Sequence, residues 1–233
     1  MIKYMIHTCP KRMWYVNDFL VPSMKKQGIK EEEIYIYNDD LEDGNFLSSV
    51  KSFKLSLSFK TEYIWHLQDD VLLCSNFKDR ADHMIAYMEE DGIMVAAGFC
   101  GIHDSKNKIN GVTVKDLWYS FPCICIKRSI LVNYYDWVMK VKDTSKLVQE
   151  AIRTMKIDDG VFAMYLKNVW QFAKCYNIMP NLVEHIDWLI GYSSVGNYRA
   201  NICRSVCFEE QELVDELRDE ISRYNKNIEV QNG

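Results

Sequence analysis

Glu62-Tyr63-Ile64-Trp65-His66-Leu67-Gln68-Asp69-Asp70-Val71-Leu72-Leu73 is the stretch whose reading decides the fold. An aromatic and aliphatic run that reads as a buried strand ends abruptly in two adjacent carboxylates and then turns apolar again. Carboxylates are too costly to bury unpaired, so a pair at a strand end is expected to face a metal, a cation or a cleft. Strand ends that emerge from a covered sheet are also where open α/β proteins bind ligands. An acidic turn between strand and helix is the plainer reading of a bare Asp-Asp. The apolar flanks on both sides, and two further sites downstream, argue against it.

The pattern extends outward from this stretch. Lys3 to His7 reads as a first buried strand, closed by the loop Thr8-Cys9-Pro10-Lys11. Val16, Phe19, Leu20 and Met24 recur at helical spacing and predict a helix over Trp14–Gln27, stopped by Gly28. Ile34 to Tyr37 is a second short strand running into Asn38-Asp39-Asp40. Phe46, Val50, Phe53 and Leu57 predict an amphipathic helix over Phe46–Phe59. After the carboxylate pair come a helix from about Asn76 to Glu90 and strands at Ile93–Ala97 and Pro122–Ile126. Strand, helix, strand, helix, strand predicts an α/β protein with a mostly parallel central sheet flanked by helices. Beyond Lys127 the chain reads as more helical, over Leu131–Val141 and from Ser145 onward. Leu213, Leu217 and Ile221 predict a C-terminal amphipathic helix over Glu209–Asn227 that lays one stripe on the body.

Bulk properties narrow the function classes. At 233 residues the chain fits one domain with a helical appendage and is long enough for a sizeable core. A net charge of −5 argues against a generally basic nucleic-acid binder. The 14 Tyr, 10 Phe and 6 Trp suffice for a core and for surfaces that stack on sugars or bases. The eight cysteines form no Cys-x-x-Cys pair and match no structural zinc spacing. Cys123 and Cys125 alternate along an apolar run and are expected on one face of a strand. The N-terminus turns polar too soon for a signal peptide, and nothing approaches transmembrane length. The expectation is a reduced, cytoplasmic protein with free thiols and no membrane partner.

Three sites carry candidate chemistry: Asp69-Asp70, a second carboxylate pair in Ile157-Asp158-Asp159-Gly160-Val161-Phe162, and His185 in Pro180-Asn181-Leu182-Val183-Glu184-His185-Ile186. The second pair opens a helix, where the backbone dipole and capping favour a carboxylate. Capping needs only one of the two, which leaves the other for a cleft.

Together the three sites resemble the GT-A glycosyltransferases, nucleotide-sugar-dependent enzymes built on a single Rossmann-like α/β domain. The resemblance covers about Met1 to Arg199. In that family a hydrophobic strand ends in an Asp-x-Asp-like motif that holds a divalent cation on the donor diphosphate. Gln68-Asp69-Asp70 matches it, with Gln68 in place of the first Asp. The resemblance implies Asp70 and His185 as metal ligands and Asp69 near the ribose or sugar. It implies Asp159 as catalytic base of an inverting reaction and Asp158 as an acceptor contact. Thr8 and Arg12 lie where the family contacts the nucleotide, and Asn38 and Asp39 where it meets base or ribose. Ser193, Ser194 and Asn197 occupy a loop that in relatives closes over the diphosphate. It further implies a catalytic domain over residues 1–205, with about 1–100 as nucleotide-sugar half and about 101–205 as acceptor half, and a helical extension over 206–233. Acceptor loops are expected between Gly98 and Trp118, with Gly101 and Gly111.

A hard divalent cation prefers oxygen ligands and neutralises charge on a leaving diphosphate. An imidazole beside a carboxylate favours Mn²⁺ over Mg²⁺. UDP-sugars are the favoured donors. The acceptor stays open between a saccharide, a protein and a hydroxymethylated base in DNA, the last requiring a flipped base and a local basic track. A nucleotidyltransferase of the same fold would carry a Gly-rich N-terminal loop, and Thr8-Cys9-Pro10-Lys11-Arg12 contains no glycine. A non-catalytic binding protein would show no metal-dependent binding of a nucleoside diphosphate.

Overall fold

The computed structural model of the chain describes residues 2–41, 44–99, 111–115, 121–154, 158–170, 175–190 and 208–232. In chain order these form β1 (Lys3–Thr8), a 3-10 turn (Pro10–Arg12), α1 (Met13–Tyr15), a π-helical turn (Val16–Leu20) and α2 (Val21–Lys26). There follow β2 (Ile34–Asn38), α3 (Gly44–Ser56), β3 (Tyr63–Gln68), β4 (Val71–Leu73), α4 (Phe77–Asp91) and β5 (Val95–Ala97). The second half holds β6 (Gly111–Lys115), β7 (Cys123–Lys127), α5 (Arg128–Val141), α6 (Lys146–Thr154) and α7 (Asp158–Val169). It closes with β8 (Cys175–Met179), β9 (Val183–His185), α8 (Asp187–Ile190) and α9 (Gln211–Asn232).

Seven strands form one sheet in the order β2-β1-β3-β7-β5-β8-β6. Strands β1, β2, β3, β5 and β8 run one way, and β7 and β6 run against them. The mostly parallel, Rossmann-like α/β sheet expected from the alternation is therefore present, with helices on both faces. The chain steps from β1 outward to β2, then returns past β1 to β3. The order thus reverses between β1 and β3, and at such a reversal the strand ends open onto a crevice.

The alternation of side chains divides the core. Tyr4, Ile6, Trp65, Leu67, Cys123 and Cys125 face α1, α2, α4 and α9. Met5, Ile64, Val95, Ile124 and Ile126 face α3, α5, α6 and α7. Cys123 and Cys125 share a face, as their spacing implies. Val214, Leu217 and Ile221 are the buried residues of α9, with Leu213 half-buried rather than at the centre of the stripe. Burying three such aliphatic side chains contributes roughly 1.5–3 kcal/mol each. Tyr224 adds a stacked contact on Trp14 at 5.1 Å between ring centroids, and its hydroxyl donates to Asp18 Oδ2 at 2.9 Å. Among the described residues no helix is long and apolar enough to cross a membrane.

Several boundaries differ from the sequence expectation. The helix expected over Trp14–Gln27 is one run whose middle turn widens into π geometry, and Gly28 ends it at φ +83°. Three short strands, β4, β6 and β9, fall where periodicity gives no signal, because three to five residues are too few to reveal a period. Strand β6 lies inside the region read as a loop between Gly98 and Trp118; Gly111 opens it, whereas Gly101 and Trp118 lie outside the described residues.

Gly98 follows β5 where backbone from two neighbours converges. Its N–H donates to Cys123 O and its carbonyl accepts from Leu182 N, both at 2.8 Å. A Cβ there would sit 2.7 Å from Cys123 Sγ and 3.2 Å from a Leu182 methyl. Overpacking of this kind typically costs about 1–3 kcal/mol. Gly98→Ala is expected to lower stability in chemical denaturation by that amount, and Cys123→Ala in the same chain to recover part of it. Equal midpoints for Gly98→Ala and the parent would contradict the close approach.

Candidate active site

The site starts from the end of β1. Cys9 is extended, the conformation a following proline imposes, and Pro10 opens the 3-10 turn at a position that needs no N–H. The turn closes with Arg12 N donating to Cys9 O at 3.0 Å and carries the Arg12 side chain inward, to 5% exposure. Arg12 Nη1 donates to Asp69 Oδ1 at 2.8 Å and to Asp70 Oδ2 at 2.6 Å. Thr8 Oγ1 donates to the other oxygen of Asp69 at 2.7 Å. The carboxylate pair thus faces a cation, as its burial demands, and that cation is Arg12. The sequence resemblance assigned Arg12 and Asp69 to the nucleotide; here they are bonded to each other.

Strand β4 departs from the main sheet after Asp70 and pairs antiparallel with β9, Val71 opposite His185. Ile186 N donates to the Asp70 carbonyl at 2.8 Å. This short ladder brings together two residues distant in sequence, with His185 Nε2 3.3 Å from Asp70 Oδ2. Behind the ring, Asp187 Oδ1 lies 3.6 Å from His185 Nδ1, too far for a hydrogen bond but close enough for charge to be felt. Asp70 Oδ1 is buried and has no hydrogen-bond partner among the described residues.

Electrostatics separates the two carboxylates. Burial alone would raise Asp70, but His185 and Arg12 outweigh it and hold its carboxyl well below the usual range. Burial raises Asp69 against the pull of Arg12. Asp70 is therefore the firmly ionised member. Asp70, with an unpaired buried oxygen, and the imidazole of His185 beside it are the donor types that suit a divalent cation. Among the described residues no group of three His, Cys, Asp or Glu side chains converges to hold a metal.

The other expected residues divide into those gathered here and those apart. Asn38 pairs with Thr8 at the end of β2, and Asp39 N donates to Thr8 O at 2.8 Å, so both border the same crevice. Asp158 and Asp159 open α7. Asp159 Oδ1 accepts from Gly160 N at 2.7 Å, and Asp158 Oδ2 accepts from Ser49 Oγ of α3 at 3.2 Å. Burial, and then the charge of Asp159, push Asp158 up to about 7; burial also raises Asp159. Ser193, Ser194 and Asn197 lie outside the described residues.

Sequence reasoning missed the histidines and serines beneath the site. His7 Nε2 meets Ser48 Oγ at 2.5 Å, and His66 Nε2 meets Ser52 Oγ at 2.8 Å. Ser48, Ser52 and Ser56 recur every fourth residue, a signal that was present in the sequence. All three are buried.

Removing Arg12 would leave two adjacent carboxylates buried without their shared partner. Arg12→Met is expected to lower the unfolding free energy by about 3–5 kcal/mol in urea titration; a loss below 1 kcal/mol would contradict the pairing. Burial pushes His7 down to about 4 from an ordinary 6.5. It stays neutral when folded and takes a proton when unfolded, so stability is fully present above pH 6.5 and lost as pH falls towards 4. The loss is on the order of 3 kcal/mol. His7→Gln is expected to lose less stability than the parent between pH 7 and pH 4, measured by urea titration at each pH; parallel losses would contradict it.

No family model matches the chain, and no curated protein matches it. Among solved structures, the crystal structure of A197 from STIV is similar at 11% identity and a TM-score of 0.41, over 78% of this chain and 83% of that one.

Proposed function

We propose that the chain is a metal-dependent glycosyltransferase of the GT-A kind, transferring a sugar from a nucleotide-sugar, UDP-sugars favoured, to an acceptor hydroxyl. One observation carries the reading: Asp70 and His185, which the sequence resemblance pairs as metal ligands, lie 3.3 Å apart across the β4–β9 ladder, with Asp70 Oδ1 left unpartnered among the described residues. The bound cation, Mn²⁺ by the carboxylate-imidazole donor set, would neutralise charge on the departing diphosphate. The protein's own groups do the rest. Thr8 and Arg12 fix Asp69, and through Arg12 also Asp70, so the site is held before a ligand arrives.

The acidic pair supplies the base. Asp158 is the more buried carboxyl, pushed up to about 7, and Asp159 is the less buried member of the pair, which we assign as the base. Asp159 accepts the proton of the acceptor hydroxyl as its oxygen bonds to the anomeric carbon and the bond to the diphosphate breaks, which inverts the configuration. Such base assistance is worth roughly 10²–10⁴-fold in rate. Candidate acceptors are a saccharide, a protein or a hydroxymethylated DNA base, and the free thiols of Cys9, Cys74, Cys123 and Cys125 suit a reducing, cytoplasmic setting.

A specific observation favours a second reading, a non-catalytic binding protein. Arg12 already neutralises both carboxylates. Calorimetry separates the two. Under the transferase reading UDP binds in the presence of Mn²⁺, and binding is lost with EDTA and in Asp70→Ala. Asp159→Asn is then expected to bind UDP normally while turnover of the matching UDP-sugar falls roughly 10²–10⁴-fold. Absence of nucleotide binding with Mn²⁺, for UDP and for GDP, would leave the binding-protein reading.

A further inference from the structure

Helix α3 is unusual in what it buries. Ser48, Ser49, Ser52 and Ser56 are each no more than 2% exposed, on a helix that also buries Phe46, Val50 and Phe53. Buried hydroxyls require partners, and these partners form a seam. Ser52 Oγ gives its single proton to Ser49 O at 2.8 Å, so the His66 Nε2 at 2.8 Å must donate to it, which fixes the tautomer of that ring. Ser56 Oγ donates to Ser52 O at 3.0 Å. His7 Nε2 meets Ser48. The two histidines stand on neighbouring parallel strands and point to the same face, so α3 is tied to β1 and β3 at two points along its length.

Ser49, the next residue, is turned about 100° round the helix from Ser48. Its Oγ reaches α7 and donates to Asp158 Oδ2 at 3.2 Å. The charge of Asp159 raises Asp158, and the charge of Asp158 in turn helps the Tyr134 hydroxyl of α5 keep its proton. The two halves of the candidate site therefore meet in adjacent residues of α3. Ser48 bonds His7, whose successor Thr8 holds Asp69, and Ser49 bonds Asp158.

We propose that Ser49 is a positioning residue for the acidic pair: its hydroxyl ties the Asp158 carboxyl to α3, leaving Asp159 to be presented to the acceptor as the base. The bonds from His7 to Ser48 and from His66 to Ser52 hold α3 at the height where Ser49 can do this. The inference rests on the transferase reading of Asp159.

Two variants test it, Ser49→Ala and Ser49→Thr, the second keeping the hydroxyl. The readouts are the pH midpoint of the Asp158 carboxyl by ¹³C NMR, the Kd of UDP with Mn²⁺ by calorimetry, and the kcat for hydrolysis of UDP-glucose. A hydrogen bond donated to a carboxylate favours its ionised form, so Ser49→Ala is expected to raise the Asp158 midpoint by about one pH unit. It is expected to lower kcat about tenfold while the Kd for UDP stays unchanged. Ser49→Thr restores both. An unmoved Asp158 midpoint, or a Kd that moves together with kcat, in a chain that binds UDP overturns the role of Ser49 alone. A parent chain that fails to bind UDP sinks the transferase reading, and the proposal with it.

Discussion

Two adjacent carboxylates at the end of β3 are the constraint on which the rest of the structure turns. Asp69 and Asp70 are 5% and 7% exposed, and two buried negative charges side by side are tolerable only with a cation in contact. Arg12 provides it, one nitrogen serving both carboxylates. That requirement dictates the conformation of the chain after β1: an extended Cys9, a proline-opened turn, and an arginine directed inward. It also leaves one carboxylate oxygen of Asp70 without a hydrogen bond among the described residues, and buried polar atoms in that condition call for an explanation. The cation proposed for the site would supply that oxygen with a partner.

The C-terminal helix bears on the same centre. Tyr224 of α9 stacks on Trp14, two residues after Arg12, and Arg218 lies over the Trp188 ring, three residues after His185. Just before the helix, Glu210 accepts a hydrogen bond from Ser75 N, five residues after Asp70. The segments that carry Arg12, Asp70 and His185 are thus each braced from outside by α9 or its leading residue. On the opposite face of the sheet the His–Ser seam of α3 performs the corresponding task for the acidic pair. The centre lies where the strand order reverses, so both faces converge on it.

Much of this was legible in the chain. The alternation of strands and helices through Asp91 is written in apolar spacing, because a covered sheet and its helices must each present an apolar side. The strand ending at Gln68, the exposed-looking but charged Asp69-Asp70 and the helix opened by Asp158 follow from local signals. The pairing of Asp70 with His185 was reached through resemblance of motifs. Nothing in the spacing of those residues requires it.

What the sequence by itself determined is the class of fold, the order of its main elements, and the presence of carboxylates where an open sheet exposes its strand ends. These depend on periodicity and on the cost of burying charge, both local properties of the chain. Only the tertiary structure decided the partners. Arg12 reads as a loop cation free for a nucleotide, and it is the folded turn that carries it onto Asp69 and Asp70. Nothing in the spacing of the α3 serines names their partners, and it is the fold that sets His7 and His66 against Ser48 and Ser52. Strands β4 and β9 are three residues each, too short to carry a period, and exist because each completes the other's hydrogen bonds. A partner chosen across 58 to 109 residues leaves no mark on the spacing of either residue, so its identity belongs to the fold.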